Sequence, residues 1–144
     1  MRVLALDYGS ARCGCAISDP TGTLATPLDA LEPPDPAAVA RLVEAEGVEE
    51  VVVGLPRTLA GEEGEQAEQS RAFAAELTEL LDVPVRTYDE RLTTRLAERS
   101  AREGARAHPD SLAAAHLLES YLMRGRSAGE AEERPDSGGG SADD

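Results

Sequence analysis

Lysine is absent from this chain: all fourteen of its basic side chains are Arg. Long apolar runs are missing too. The opening Met1-Arg2-Val3-Leu4-Ala5-Leu6 is broken by Asp7 and Gly9 within a few residues. That is too short for the apolar region of a signal peptide or for a membrane span, so a cytoplasmic protein with no membrane partner is expected. Cysteine is scarce, with only Cys13 and Cys15. Their C-x-C spacing would set both on one face of a strand, poorly placed to bridge each other, so they are read as small core residues. There is no internal repeat. Positive charge is also in deficit, the net charge being -14.

That balance weighs against a nucleic-acid enzyme, because affinity for a phosphate backbone normally rests on cations. The distribution weakens the objection. Residues 86 to 126 carry eight Arg against six acids, so the excess of acid lies elsewhere. An all-Arg complement suits bidentate phosphate contacts, and it also fits a compositional bias of the source genome.

At 144 residues, the length fits one domain with a modest core. The domain is placed at residues 1 to 126. The stretch from 127 to 144, SAGEAEERPDSGGGSADD, has no apolar periodicity and is expected to be a disordered acidic tail. Before it, three short strands are predicted at Val3–Asp7, Arg12–Ser18 and about Gly22–Pro27, joined by turn signals. A helix over Ala37–Glu46, closed by Gly47, leads to the buried strand Val51-Val52-Val53. A second helix at about Glu63 to Leu81 carries Phe73, Leu77 and Leu80 on one stripe. A strand over Val83–Tyr88 follows, then helices near Thr94–Glu103 and Asp110–Met123. The order β-β-β-α-β-α-β-α-α implies an α/β, ribonuclease H-like fold. Its five-stranded mixed sheet has three antiparallel strands, then right-handed α/β crossovers that extend it beside the first strand.

Three acidic positions fall at element ends. Asp7 closes the first strand, where an unpaired buried carboxylate would be too costly to persist, so it is a solvated end or a site. Gly9 in the turn that follows lets backbone approach a phosphate, or only permits the turn. Asp89 and Glu90 close the last strand, and strand alternation allows one of them to face Asp7. Asp110 opens the last helix, where an N-cap role alone would explain it. Three carboxylates held so would suit a hard divalent ion, Mg2+ or Mn2+, and two ions about 3.5–4 Å apart could activate water on a phosphodiester. Arg91, Arg95, Arg99 and Arg102 form a stripe roughly 80° wide on the helix after Glu90, either tracking phosphates or forming a solvated face. His108 and His116 have no zinc-like companions.

Four segments together resemble the YqgF family of pre-16S rRNA nucleases and Holliday-junction-resolvase-like proteins, akin to RuvC. They are Leu6-Asp7-Tyr8-Gly9-Ser10-Ala11-Arg12, Val53-Gly54-Leu55-Pro56, Asp89-Glu90-Arg91-Leu92-Thr93-Thr94 and Asp110-Ser111-Leu112-Ala113-Ala114. The likeness runs to about residue 125. It implies a metal-dependent nuclease that matures the 5′ end of precursor 16S rRNA, with Asp7, Glu90 and Asp110 as catalytic metal ligands. Gly9, Ser10, Arg12 and the four stripe arginines would be substrate contacts. Partners would be precursor rRNA or branched DNA and ribosomal precursor particles, with the protein a monomer or weak homodimer.

Departures matter as well. Ser10-Ala11 stands where the family often has Thr-Lys, and Cys13 and Cys15 stand where it has branched apolar residues. The approach to Asp110 lacks a Lys-rich stretch. Ala113 and Ala114 occupy the places where RuvC-like resolvases carry a further acid, which favours RNA processing over junction cleavage. Two other classes remain open from residues alone. One is a non-catalytic nucleic-acid-binding factor. The other is a nucleotide phosphohydrolase, against which stands the lack of a second phosphate hairpin.

Overall fold

The computed structural model describes residues 1–56, 64–90 and 109–124, with the side chains of 109 and 110 outside that set. Five strands form one sheet: β1 Val3–Tyr8, β2 Cys13–Ser18, β3 Ala25–Leu31, β4 Glu50–Leu55 and β5 Val85–Asp89. Their spatial order is β3-β2-β1-β4-β5. The pairs β1–β2 and β2–β3 are antiparallel, while β1–β4 and β4–β5 are parallel. Among the described residues the helices are α1 Pro36–Glu46, α2 Glu65–Leu80 and α3 Pro109–Arg124. The expected helix near Thr94–Glu103 and the expected tail lie outside the described residues.

Strand alternation divides the core into two layers. Leu4, Leu6, Cys13, Cys15, Ile17, Val51 and Val53 face α1 and α2, meeting Val39, Phe73 and Leu77. Val3, Ala5, Ala16 and Val52 face α3, meeting Ala114, Ala115, Leu117 and Leu118. The second interface is built largely of small residues, so helix and sheet backbones approach closely. Both cysteines are fully buried, in keeping with a core role. Each Val, Leu or Phe buried here contributes about 1.5–3 kcal/mol relative to exposure.

The helix ends follow the sequence signals. Asp35 caps α1 by accepting the Ala37 amide at 3.0 Å, and Gly47 ends it in the left-handed region at φ 67°. Two expectations are corrected. The third strand begins at Ala25 and runs to Leu31, because Asp19 extends the preceding turn. Its carboxylate accepts the amides of Thr23 and Leu24 and the Thr21 hydroxyl. Those bonds hold its carboxyl well below the usual carboxylate range. Pro27 is tolerated because β3 is an edge strand. Leu80 is 51% exposed and off the apolar stripe of α2, which runs through Ala67, Ser70, Phe73, Ala74 and Leu77. At 3.6 residues per turn the next place on that stripe falls on Leu81, and Leu81 packs against the core.

The third helix is locked to the sheet by a polar cluster centred on Glu50, which pairs with Val3 at the opposite end of β1 from Asp7. Glu50, 6% exposed, accepts from Arg86 Nε and from the Tyr121 hydroxyl, the latter at 2.7 Å. The Tyr88 and Ser120 hydroxyls hydrogen-bond at 2.8 Å, and the Tyr88 and Tyr121 rings meet edge to face.

Candidate active site

Asp7 occupies the penultimate position of β1, opposite Gly14 of β2. Val3 and Ala5 pack toward α3, so Asp7, of the same parity, shares that face. Tyr8 takes the other face and stacks on Phe73 with ring centroids 4.6 Å apart. On β5, Tyr88 packs toward α3, which puts Glu90, two positions on, on the same face as Asp7. Asp89 has the opposite parity. The parallel register sets Leu6 beside Val53, and Gly54 beside Tyr88, so Gly54 lies between the ends of β1 and β5.

Glu90 turns back across this gap against Gly54, and its carboxyl interacts with that of Asp7. Burial pushes the Glu90 carboxyl above its ordinary value; the interaction with Asp7 opposes that shift and the charge of Asp89 adds to it. A Cβ built on Gly54 would lie 2.6 Å from Glu90 Oε2 and 3.1 Å from its Cγ. The missing side chain is the space the carboxylate uses. No role for Gly54 follows from the sequence motif by itself, although a glycine inside an otherwise β-branched strand signals a close approach.

The third helix enters at the same end of the sheet. The register of β2 on β3 shifts between Cys13 and Cys15, and the Cys15 amide donates to Ser111 Oγ at 3.3 Å. Ser111 is fully buried, so this bond pins the first turn of α3 beside the strand that pairs with Asp7. Asp110 immediately precedes it in that turn by its backbone, and its side chain lies outside the described residues. Among the described side chains no group of three His, Cys, Asp or Glu is assembled. The donors that do meet are carboxylate oxygens, the chemistry a hard divalent cation takes.

Of the expected substrate contacts, Gly9 closes the turn after β1, its amide donating to the Arg12 carbonyl at 3.0 Å. A Cβ there would lie 2.9 Å from that oxygen, so the turn itself needs the glycine. Ser10 is exposed at the turn. Arg12 pairs with Glu32 at 3.5 Å, a partner the sequence reading missed. Arg91, Arg95, Arg99 and Arg102 lie outside the described residues, as does His108. His116 is half-buried, and burial pushes its imidazole pKa down against the opposing charge of Glu119.

Residues 1–124 match the family model described as "RuvX: Holliday junction resolvase". A protein of Rubrobacter xylanophilus described as "Putative pre-16S rRNA nuclease" is 45% identical over 133 residues, covering 88% of this chain and 96% of that protein. One of Chloroflexus aurantiacus with the same description is 43% identical over 135 residues, covering 87% and 88%. Among solved structures, Thermus thermophilus RuvC bound to a Holliday junction superposes with a TM-score of 0.67 at 14% identity, covering 88% of this chain and 95% of that one. The fowlpox virus resolvase, also with junction DNA, gives 0.53 at 13% identity, covering 85% and 97%. These two likenesses establish the ribonuclease H-like fold. With one family spanning all the described elements, and its relatives matched over most of their own length, the chain belongs to the RuvX/YqgF family of nucleases.

Proposed function

We propose that this nuclease hydrolyses phosphodiester bonds of precursor 16S rRNA at its 5′ side, as an endonuclease using divalent ions held by Asp7, Glu90 and Asp110. The observation that carries the reading is the meeting of Asp7 and Glu90 at the carboxyl ends of two parallel strands, across Gly54. Two interacting carboxyl groups from the ends of separate strands form an oxygen donor set of the kind a hard divalent ion takes. Mg2+ or Mn2+ bound there supplies Lewis-acid polarisation of the phosphate and a water nucleophile at neutral pH.

The protein's own contribution is placement. Asp7 is fixed by β1 pairing on both sides, Glu90 by the end of β5, and the backbone of Asp110 by the Ser111 tether. Sign of charge sets the side of approach. The helices α1 and α2 carry six acids against Arg41 and Arg71, so they repel phosphate, and RNA is steered to the α3 side of the sheet. Arg12 would exchange Glu32 for a phosphate on binding, a small cost because the pair is exposed. Action in the cytoplasm, on ribosomal precursor particles, as a monomer or weak homodimer, belongs to the same reading. No described helix is long and apolar enough to cross a membrane.

The experiment is a side-by-side cleavage assay of precursor 16S rRNA and four-way junction DNA, with Mg2+ and with Mn2+. Cleavage of the rRNA, lost in Asp7→Asn while binding persists or tightens, is the expected result. Cleavage of the junction alone would move the substrate to branched DNA, and metal-independent cleavage would remove the carboxylate assignment.

A further inference from the structure

We infer that Gly54 is a positioning residue for the metal site: the side chain it lacks is the volume in which Glu90 folds back onto Asp7. The inference rests on the reading of these carboxylates as metal ligands. A Cβ on Gly54 has three nearest contacts, and all belong to Glu90: Oε2 at 2.6 Å, Cγ at 3.1 Å and Cδ at 3.2 Å. Real Cβ atoms do not approach a heavy atom to 2.6 Å, so adding a methyl forces a movement. The direction of that movement is set by what is soft. Gly54 is held on both sides by parallel strands, β1 and β5, and sits in a fully buried strand. Glu90 lies one residue beyond β5, with a flexible arm and a part-buried carboxyl. The arm yields and the strand does not.

A glycine here is otherwise costly. Central strand positions favour β-branched residues, and the neighbours Val51, Val52 and Val53 are all Val. A glycine in that run forfeits packing and loses more chain entropy on folding than any other residue. The backbone does not ask for it, since Gly54 is not among the glycines at positive φ. Its neighbour across the β5 pairing, Tyr88, leans instead toward Ser120 and Tyr121 of α3. Among the described residues, the three atoms nearest the vacated volume all belong to the Glu90 side chain. With Ala at position 54 the carboxylate is displaced from Asp7 while both remain chemically intact, so the site loses a ligand by geometry alone.

The test is Mn2+ titration of the full chain, read by calorimetry, together with melting temperature, for Gly54→Ala, Glu90→Ala and the double variant. Loss of a ligand-orienting neighbour typically weakens metal binding 10–100-fold. Gly54→Ala should therefore lower Mn2+ affinity by at least about tenfold while keeping a cooperative melt. In the Glu90→Ala background, where the three atoms nearest a Cβ at position 54 are gone, the Gly54→Ala change should cost no further affinity. Near-wild-type affinity in Gly54→Ala, within about twofold, overturns the inference, and so does a double variant whose loss is the product of the two single losses. Should Gly54→Ala unfold the chain, the double variant decides: a folded double variant supports displacement of Glu90, and an unfolded one assigns the glycine to the strand itself and overturns the inference. Unchanged affinity in Glu90→Ala alone would instead overturn the metal-ligand reading, and the inference with it.

Discussion

Replacing Arg86 by Met isolates the polar lock that holds α3 on the sheet. Glu50 has a side chain only 8% exposed, and its carboxylate keeps two donors, Arg86 Nε and the Tyr121 hydroxyl. Removing one partner of a fully buried ion pair costs about 3–5 kcal/mol, since the other charge is left without compensation. Arg86 is 33% exposed and Tyr121 remains, so water and the phenol recover part of that. A loss of about 2 kcal/mol is expected, in line with the range for hydrogen bonds to charged groups. For a domain of this size that lowers the melting temperature by roughly 6–10 °C. The assay is urea unfolding followed by circular dichroism, run in parallel with Glu50→Gln and the double variant. Neutralising Glu50 removes the stranded charge, so Arg86→Met should cost less than about 1 kcal/mol in that background. An equal cost in both backgrounds would refute the lock, and a fall in cleavage rate at saturating substrate would refute its separation from the catalytic end.

Three further outcomes can be checked independently. Deleting residues 127 to 144 removes six acids and one Arg, so melting and cleavage should hold while RNA binding strengthens at low salt; a large drop in melting temperature would show that the segment docks. Changing Arg95, Arg99 and Arg102 to Ala should reduce the slope of log affinity against log salt by about 0.7–0.9 per contact, without changing sequence preference, and an unchanged slope would make the stripe a solvated face. His116 has a folded-state pKa below its ordinary value, so the unfolded chain binds the proton more readily. Stability from this group is present above the unfolded value of about 6.5 and declines as pH falls through it. His116→Gln should flatten that dependence in denaturant melts between about pH 5 and 7.

Much of this architecture was legible because the signals were periodic. The Val51-Val52-Val53 run, the apolar run Val3 to Leu6, and the Asp35 and Gly47 flanks of α1 each encode one element with one physical meaning. Strand alternation in the sequence left Asp89 and Glu90 both open; the resemblance named Glu90, and the packing of Tyr88 toward α3 puts Glu90 on the face of Asp7. The misses depend on particular side-chain contacts, near or far in the chain, that periodicity does not encode. The beginning of β3 hinges on Asp19 capturing the amides of Thr23 and Leu24. The exposure of Leu80 depends on where α2 leaves the sheet. Gly54 looked like a motif letter until Glu90 was placed against it, and Arg12, expected as a substrate contact, pairs with Glu32.

The sheet order carries a consequence for the life of the chain before it is complete. Asp7 is made about eighty residues before Glu90, which reaches it only across β4. On the proposed assignment, a growing polypeptide therefore holds one ligand and no site, however long it remains near RNA. Hydrolytic capacity arises when β4 has paired with β1, β5 with β4, and α3 has closed over the small residues of the sheet. Topology delays the chemistry, so an unfinished nuclease cannot cut the RNA around it.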